Sequence, residues 1–181
     1  EQKIAVIGFG IWGRNIVRNF YNLNVLDTVC DLDEESLKTV KEQFPGVNVT
    51  KDFKDIINNK EITGVAVVTP SHTHFKMVKA MLEAGKNVYV EKPISTVADE
   101  AKVLTDLAEE KGLVLMVDHL LLYHPAVNRL KMLIEEGVLG ELVYAQSDRL
   151  NVNYHKNDRS VLWDLAPHDV SMIAYVTGKS P

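Results

Sequence analysis

The chain has a single cysteine, Cys30, among 181 residues. That excludes an internal disulfide framework and a cysteine metal site. The thiol falls in a predicted strand, where it reads as a small buried apolar group. Lys and Arg are nowhere clustered, and 20 of them against 25 Asp and Glu leave a net charge of −5. This argues against a nucleic-acid partner. No apolar run is long enough to span a membrane, and the first residues lack a signal-peptide pattern. The sequence starts at Glu1 rather than Met, so a few preceding residues are expected to be missing. Repeats and low-complexity stretches are absent too. What is present, 46% apolar and 25% charged residues, is an ordinary globular composition able to bury a sizeable core. It suits one domain with part of a second, and a cytoplasmic location is expected.

The most informative stretch is Lys3 to Gly13. Ile4-Ala5-Val6-Ile7 reads as a strand buried on both faces, and the residues from Ile11 to Tyr21 read as a helix. Between them runs Gly8-Phe9-Gly10-Ile11-Trp12-Gly13. At such a junction Gly8 permits the tight turn, Gly10 lets the backbone approach a pyrophosphate, and Gly13 allows close helix–strand packing. The helix N-terminus offers N–H groups to the phosphates. Trp12 either packs over this loop or plugs the core beneath it.

A second strand, Val25–Cys30, ends in Asp31, 18 positions after Gly13. A dinucleotide fold places there the acid that binds the adenosine ribose hydroxyls. Such an acid repels a 2′-phosphate, so NAD is favoured over NADP. Asp33 is read as the cap of a helix over 34–43. Further strands are expected at 47–49, 64–68, 87–90 and 113–117, alternating with helices at 52–58, 73–84 and 98–111. This rhythm predicts an α/β fold with a Rossmann-like, doubly wound parallel sheet. Ligands of such sheets lie off the strand C-termini, so Gly8–Gly13, Asp31, Thr69–His74, Glu91–Pro93 and His119 should line one crevice. Within this set Phe9, Ile11, Trp12, Thr69, Pro70, His74, Glu91 and Lys92 join the glycines and Asp31 as candidate cofactor contacts.

After about residue 120 the rhythm changes. Pro125–Glu136 suits a helix, Glu141–Leu150 alternates like a strand covered on one face, 151–159 reads as a polar loop, and 162–176 is helical. The expected division is therefore a dinucleotide-binding domain over 1–120 and a partial α+β domain over 121–181.

Taken together, the motifs resemble the Gfo/Idh/MocA family of NAD(P)-dependent oxidoreductases. They are the glycine turn, Thr69-Pro70 with Thr73-His74, Ala84-Gly85-Lys86-Asn87-Val88-Tyr89-Val90-Glu91-Lys92-Pro93, Gly137-Val138-Leu139-Gly140-Glu141, and Asp164-Leu165-Ala166-Pro167-His168. Two stretches, Trp12–Phe20 and Val161–Asp169, are similar to the branch that oxidises nucleotide-activated amino sugars and their uronic acids (the UDP-N-acetylglucosaminuronate type) at C3. The resemblance implies a sugar or nucleotide-sugar substrate, and a C-terminal open sheet that carries substrate contacts and the interface of a homo-oligomer. Only one strand of that sheet is expected here. The chain is accordingly read as a truncated enzyme, or as a short form that pairs strand 141–150 with another copy.

Oxidising a secondary alcohol needs a base for the hydroxyl proton and a positive group for the developing alkoxide. His168, with an unperturbed pKa of about 6.5, is the candidate base. Lys92 is the candidate oxygen ligand, and Asp164 either orients His168, pairs with Lys92, or only caps the helix. The family assigns catalysis to these three positions. His119, Tyr123, Arg149 and Asn151 are candidate substrate contacts, with a structural role equally open for His119. The pairs His72/His74 and His119/His124 lack a further ligand at metal spacing, so no metal is expected. Two rival readings remain: a glycosidase of the same fold that reduces and reoxidises NAD within one cycle, and an NAD-binding module without turnover.

Overall fold

The structure is a computed structural model in which residues 2–149 and 160–179 are described. It divides into two compact units, Glu1–Asp118 and His119–Pro181.

In the first unit the strands are β1 (Ile4–Ile7), β2 (Leu26–Cys30), β3 (Asn48–Thr50), β4 (Gly64–Val67), β5 (Asn87–Val90) and β6 (Leu115–Val117). They alternate with helices α1 (Ile11–Asn22), α2 (Glu34–Gln43), α3 (Phe53–Asn58), α4 (His74–Glu83) and α5 (Ala98–Lys111). All neighbouring strands are parallel, in the order β3-β2-β1-β4-β5-β6. The chain thus winds outward twice from β1. The order reverses between β1 and β4, the place off the strand ends where such sheets take their ligands.

Strict alternation along the central strands explains their wholly apolar sequence. Ala5 and Ile7 of β1, with Val65 and Val67 of β4, join a core with Val78, Met81 and Leu82 of α4 and Leu104 of α5. Val6 and Ala66 point the other way, into a core with Val17, Val29, Val40 and Phe9. Each face is covered by helices, so neither can be polar. Cys30 sits within the first of these cores, and burial pushes its thiol up to about 12. It is an inert packing group.

The second unit has α6 (Pro125–Glu135) and α7 (Val161–Thr177), preceded by a short 3₁₀ turn at Leu120–Tyr123. The Nδ1 atom of His124 caps α6 by accepting from Ala126 N, and Pro125 occupies the first turn, where its missing N–H costs nothing. Tyr175 on α7 donates to Asn128 Oδ1 of α6 at 2.7 Å, and the Lys131 ammonium lies 4.1 Å from the Tyr175 ring centre. The strand expected at 141–150 is not formed over 141–149, which has no ladder partner among the described residues and leaves Val143 and Tyr144 exposed. Alternation marks a segment as able to pair; a strand exists only beside a neighbour that supplies the hydrogen bonds. The loop expected over 151–159 lies outside the described residues. No helix among the described residues is long and apolar enough to cross a membrane.

Candidate functional site

The turn between β1 and α1 divides its three glycines by job. Gly8 has φ +102°, and a Cβ there would stand 2.6 Å from the Val68 carbonyl oxygen. A Cβ on Gly13 would stand 2.1 Å from the carbonyl oxygen of Gly8. The close packing foreseen for Gly13 is therefore against the turn itself. A Cβ on Gly10 would meet nothing within 4 Å, so its bareness is turned outward, toward whatever fills the crevice.

The helix beginning there is also left open. Gly10 is the N-cap of α1 and offers no side chain, and the first turn carries no acid. By contrast α2 and α3 are capped by carboxylates, Asp33 on Ser36 N and Asp52 on Lys54 N. The Ser36 hydrogen bond holds the Asp33 carboxyl below the usual carboxylate range. An uncapped N-terminus beside a glycine turn fits a pyrophosphate, because its backbone donors and partial positive charge remain available.

Asp31 follows β2 at the rim of this turn. Its Oδ2 accepts from Phe9 N at 2.6 Å and its Oδ1 from Asp33 N at 2.9 Å. The carboxylate is thus fixed by the loop it borders, and each oxygen keeps a lone pair for a hydroxyl donor. Phe9, expected as a cofactor contact, turns its side chain inward. Its ring is 1% exposed in the core, edge-on to Phe44, and its N–H is taken by Asp31. Trp12, 48% exposed, does not plug the core, and Ile11 is exposed beside it. Arg14, which the sequence did not single out, lies with its guanidinium 5.5 Å from the Phe9 ring centre. It adds a positive charge next to the turn.

Beyond β4 the Thr69–Thr73 loop is knitted by hydroxyls. Thr73 Oγ1 donates to the Pro70 carbonyl at 2.7 Å, so the 2.6 Å contact between the two threonine hydroxyls has Thr69 as donor. His74, expected as a cofactor-side contact, is enclosed. It is 1% exposed, and both ring nitrogens face backbone carbonyls, of Pro93 and Thr69. Beyond β5 lie Glu91, which is buried, and Lys92, which is half-buried; the Lys92–Pro93 peptide is cis. Lys86, at the other end of β5, is buried and donates to the Asn59 and Ile62 carbonyls, and burial lowers its pKa.

In the second unit, α7 starts at Val161 with Ser160 as N-cap, so Asp164 lies in the first turn and Pro167 inside the helix. Asp164 is therefore not the cap, and its spacing of four places it on the same face as His168. His119 lines an apolar groove of about 520 Å³ with Leu162, Trp163, Pro167 and Val170. Tyr123 is exposed, and Asn151 lies outside the described residues.

Arg149, expected as a substrate contact, is paired within the second unit. Its guanidinium forks onto Asp169, Nε to Oδ2 and Nη2 to Oδ1, both at 3.0 Å, and Ser147 donates to the same carboxylate at 2.8 Å. These bonds hold the Asp169 carboxyl below its ordinary range, the Arg149 bond contributing most. The pair ties the 141–149 segment to α7 next to His168. Because the folded pKa is depressed, the stabilisation is present above the unfolded pKa of about 3.9 and is lost as pH falls through the folded value. Asp169→Asn should lower stability at pH 7 by about 1 kcal/mol and flatten the acid limb of the melting-temperature profile. An unchanged acid limb would show that the pair does not hold this segment.

Residues 2–119 match the oxidoreductase family with an NAD-binding Rossmann fold, Gfo/Idh/MocA. The chain belongs to that family. This Gfo/Idh/MocA chain is similar to the uncharacterized oxidoreductase YdgJ of Escherichia coli K12, with 39% identity over 138 residues, 71% of this chain and 40% of that protein. It is similar along its whole length to a UDP-N-acetylglucosamine 3-dehydrogenase of Acidithiobacillus ferrooxidans, at 29% identity and covering 56% of that enzyme. Among solved structures, GenD2 from gentamicin A biosynthesis, in complex with NAD, superposes with a TM-score of 0.86 at 25% identity. That match covers 99% of this chain and 54% of that one. The Gfo/Idh/MocA chain thus spans about half the length of the relatives it matches.

Proposed function

We propose that this Gfo/Idh/MocA protein is an NAD-dependent dehydrogenase that transfers a hydride between a secondary hydroxyl of a sugar or nucleotide sugar and the nicotinamide. The observation that carries the reading is the uncapped, glycine-lined N-terminus of α1 with the anchored carboxylate of Asp31 at its rim. These residues fit a dinucleotide whose ribose hydroxyls donate to Asp31 and whose pyrophosphate lies over Gly10. When bound, NAD supplies the hydride acceptor.

The chemistry assigned to the chain's own residues is proton handling and charge stabilisation. Lys92 donates to the reacting oxygen and lowers its pKa. His168 takes the hydroxyl proton, and Asp164, one helical turn earlier, orients the imidazole. The similarity to a UDP-N-acetylglucosamine 3-dehydrogenase makes C3 of a UDP-linked amino sugar or its uronic acid the first substrate to test. The protein is placed in the cytoplasm and is assigned a homo-oligomer built through a C-terminal sheet.

A screen of UDP-sugars and free polyols for NADH formation tests the reaction. Accumulating NADH with one of them is the expected result; turnover with no net NADH would indicate the internal-redox glycosidase instead. Asp31→Ala should weaken NAD binding by about 10–100-fold, the value of hydrogen bonds to a charged acceptor, and narrow the preference over NADP. Fluorescence titration with both cofactors checks this, and an unchanged preference would take the ribose away from Asp31.

A further inference from the structure

His74 opens α4 beneath two loops that leave the same edge of the sheet. Its Nδ1 lies 2.7 Å from the Pro93 carbonyl oxygen, on the loop after β5, and its Nε2 lies 2.8 Å from the Thr69 carbonyl oxygen, on the loop after β4. A carbonyl oxygen only accepts. A neutral imidazole has one N–H and one lone pair, so it satisfies one of these contacts and sets a lone pair against an oxygen in the other. A ring protonated at both nitrogens donates twice. Burial opposes the charged ring, while two hydrogen bonds at donor distance favour it, since charge-assisted bonds are the stronger kind.

The placement gives this bridge a consequence. The Thr69–Thr73 loop is closed on itself by its hydroxyls, and His74 carries a side-chain link from it to the residue that follows Lys92. We infer that His74, protonated at both ring nitrogens, is a positioning residue that ties the Lys92–Pro93 turn to the Thr69–Pro70 turn and so sets where the Lys92 ammonium stands. The inference rests on the proposed role of Lys92 in hydride transfer and adds to it the residue through which that lysine is held.

The ring is tested on the unaltered protein by nitrogen-15 NMR of the histidine side chains. Two slowly exchanging ring N–H signals from His74 are expected, assigned by contacts to Pro93 and Thr69; a single ring N–H would overturn the inference. The positioning role is tested with His74→Gln. Its kcat should fall about 10–100-fold, as for a misplaced reacting group, with the Kd for NAD little changed. In a Lys92→Met background the same substitution should cost no further activity, because its effect passes through Lys92. A His74→Gln protein that melts lower but keeps its kcat would make His74 purely structural and overturn the inference. If Lys92→Met alone retains full turnover, the dehydrogenase role of Lys92 fails whatever the ring shows. A single ring N–H with Lys92→Met inactive removes only the part assigned to His74.

Discussion

Lys92→Ala should lower kcat by about 10²–10⁴-fold, the usual contribution of a positioned proton-handling group, while the Kd for NAD stays nearly constant. The contrast follows from what the side chain is proposed to touch. The proposed grip on NAD is the β1–α1 turn and Asp31, none of which the substitution alters. The ammonium is assigned to the reacting oxygen, whose negative charge grows only as the hydride leaves, so it stabilises the transition state more than the ground state. Lys92 is the second residue after β5, which is bonded in register to β4 on one side and β6 on the other. The side chain is half-buried in a bend just past the sheet, and its truncation should leave the fold intact. Steady-state kinetics with an isothermal NAD titration separate the two effects. An equal loss of both would move Lys92 from the reacting centre to the cofactor.

The second large effect concerns two glycines three residues apart. Gly13→Ala should destabilise the first unit by about 3 kcal/mol or more, at the upper end of overpacking costs, because its Cβ would overlap the Gly8 carbonyl, 2.1 Å away. The obstacle is backbone on a turn that is itself pinned, so no rotamer change relieves it. Gly10→Ala should cost only about 1 kcal/mol or less, the difference between Gly and Ala at an N-cap, since its Cβ meets no protein atom within 4 Å. That same methyl would occupy the approach proposed for the pyrophosphate, so NAD affinity should fall by about tenfold or more, the value of a lost charge-assisted contact. Thermal melts with and without NAD give the result. If both variants lost stability equally, or Gly10→Ala bound NAD normally, the division of labour within the turn would be wrong.

Much of the first unit was legible because its signals are local. A strand buried on both faces must be apolar throughout, as Ala5, Val6 and Ile7 are, and a glycine in a tight turn leaves its spacing in the sequence. Asp33 as the cap of α2 follows from its place three residues before Ser36. Helix α7 was harder, because Pro167 suits a first turn and suggests a start near Leu165. The Ser160 cap places the start earlier, at Val161, and puts Asp164 within the helix.

The partners of the polar side chains were not legible. Nothing in the spacing shows that Asp31 holds the N–H of Phe9, 22 positions away, that Arg149 forks onto Asp169, or that the His74 ring spans two carbonyls. Lys86 stands within a recognised motif, yet its burial against the Asn59 and Ile62 carbonyls depends on how α3 returns to the sheet.

The sequence by itself determined the order of strands and helices and the glycine turn, since these arise from preferences within a few residues along the chain, and their alternation implied the parallel winding. Tertiary structure alone decided which carboxylate is tethered, which histidine is enclosed, and that 141–149 forms no ladder. Each of those depends on a group supplied from a distant part of the chain, and only packing sets whether it arrives within hydrogen-bond reach.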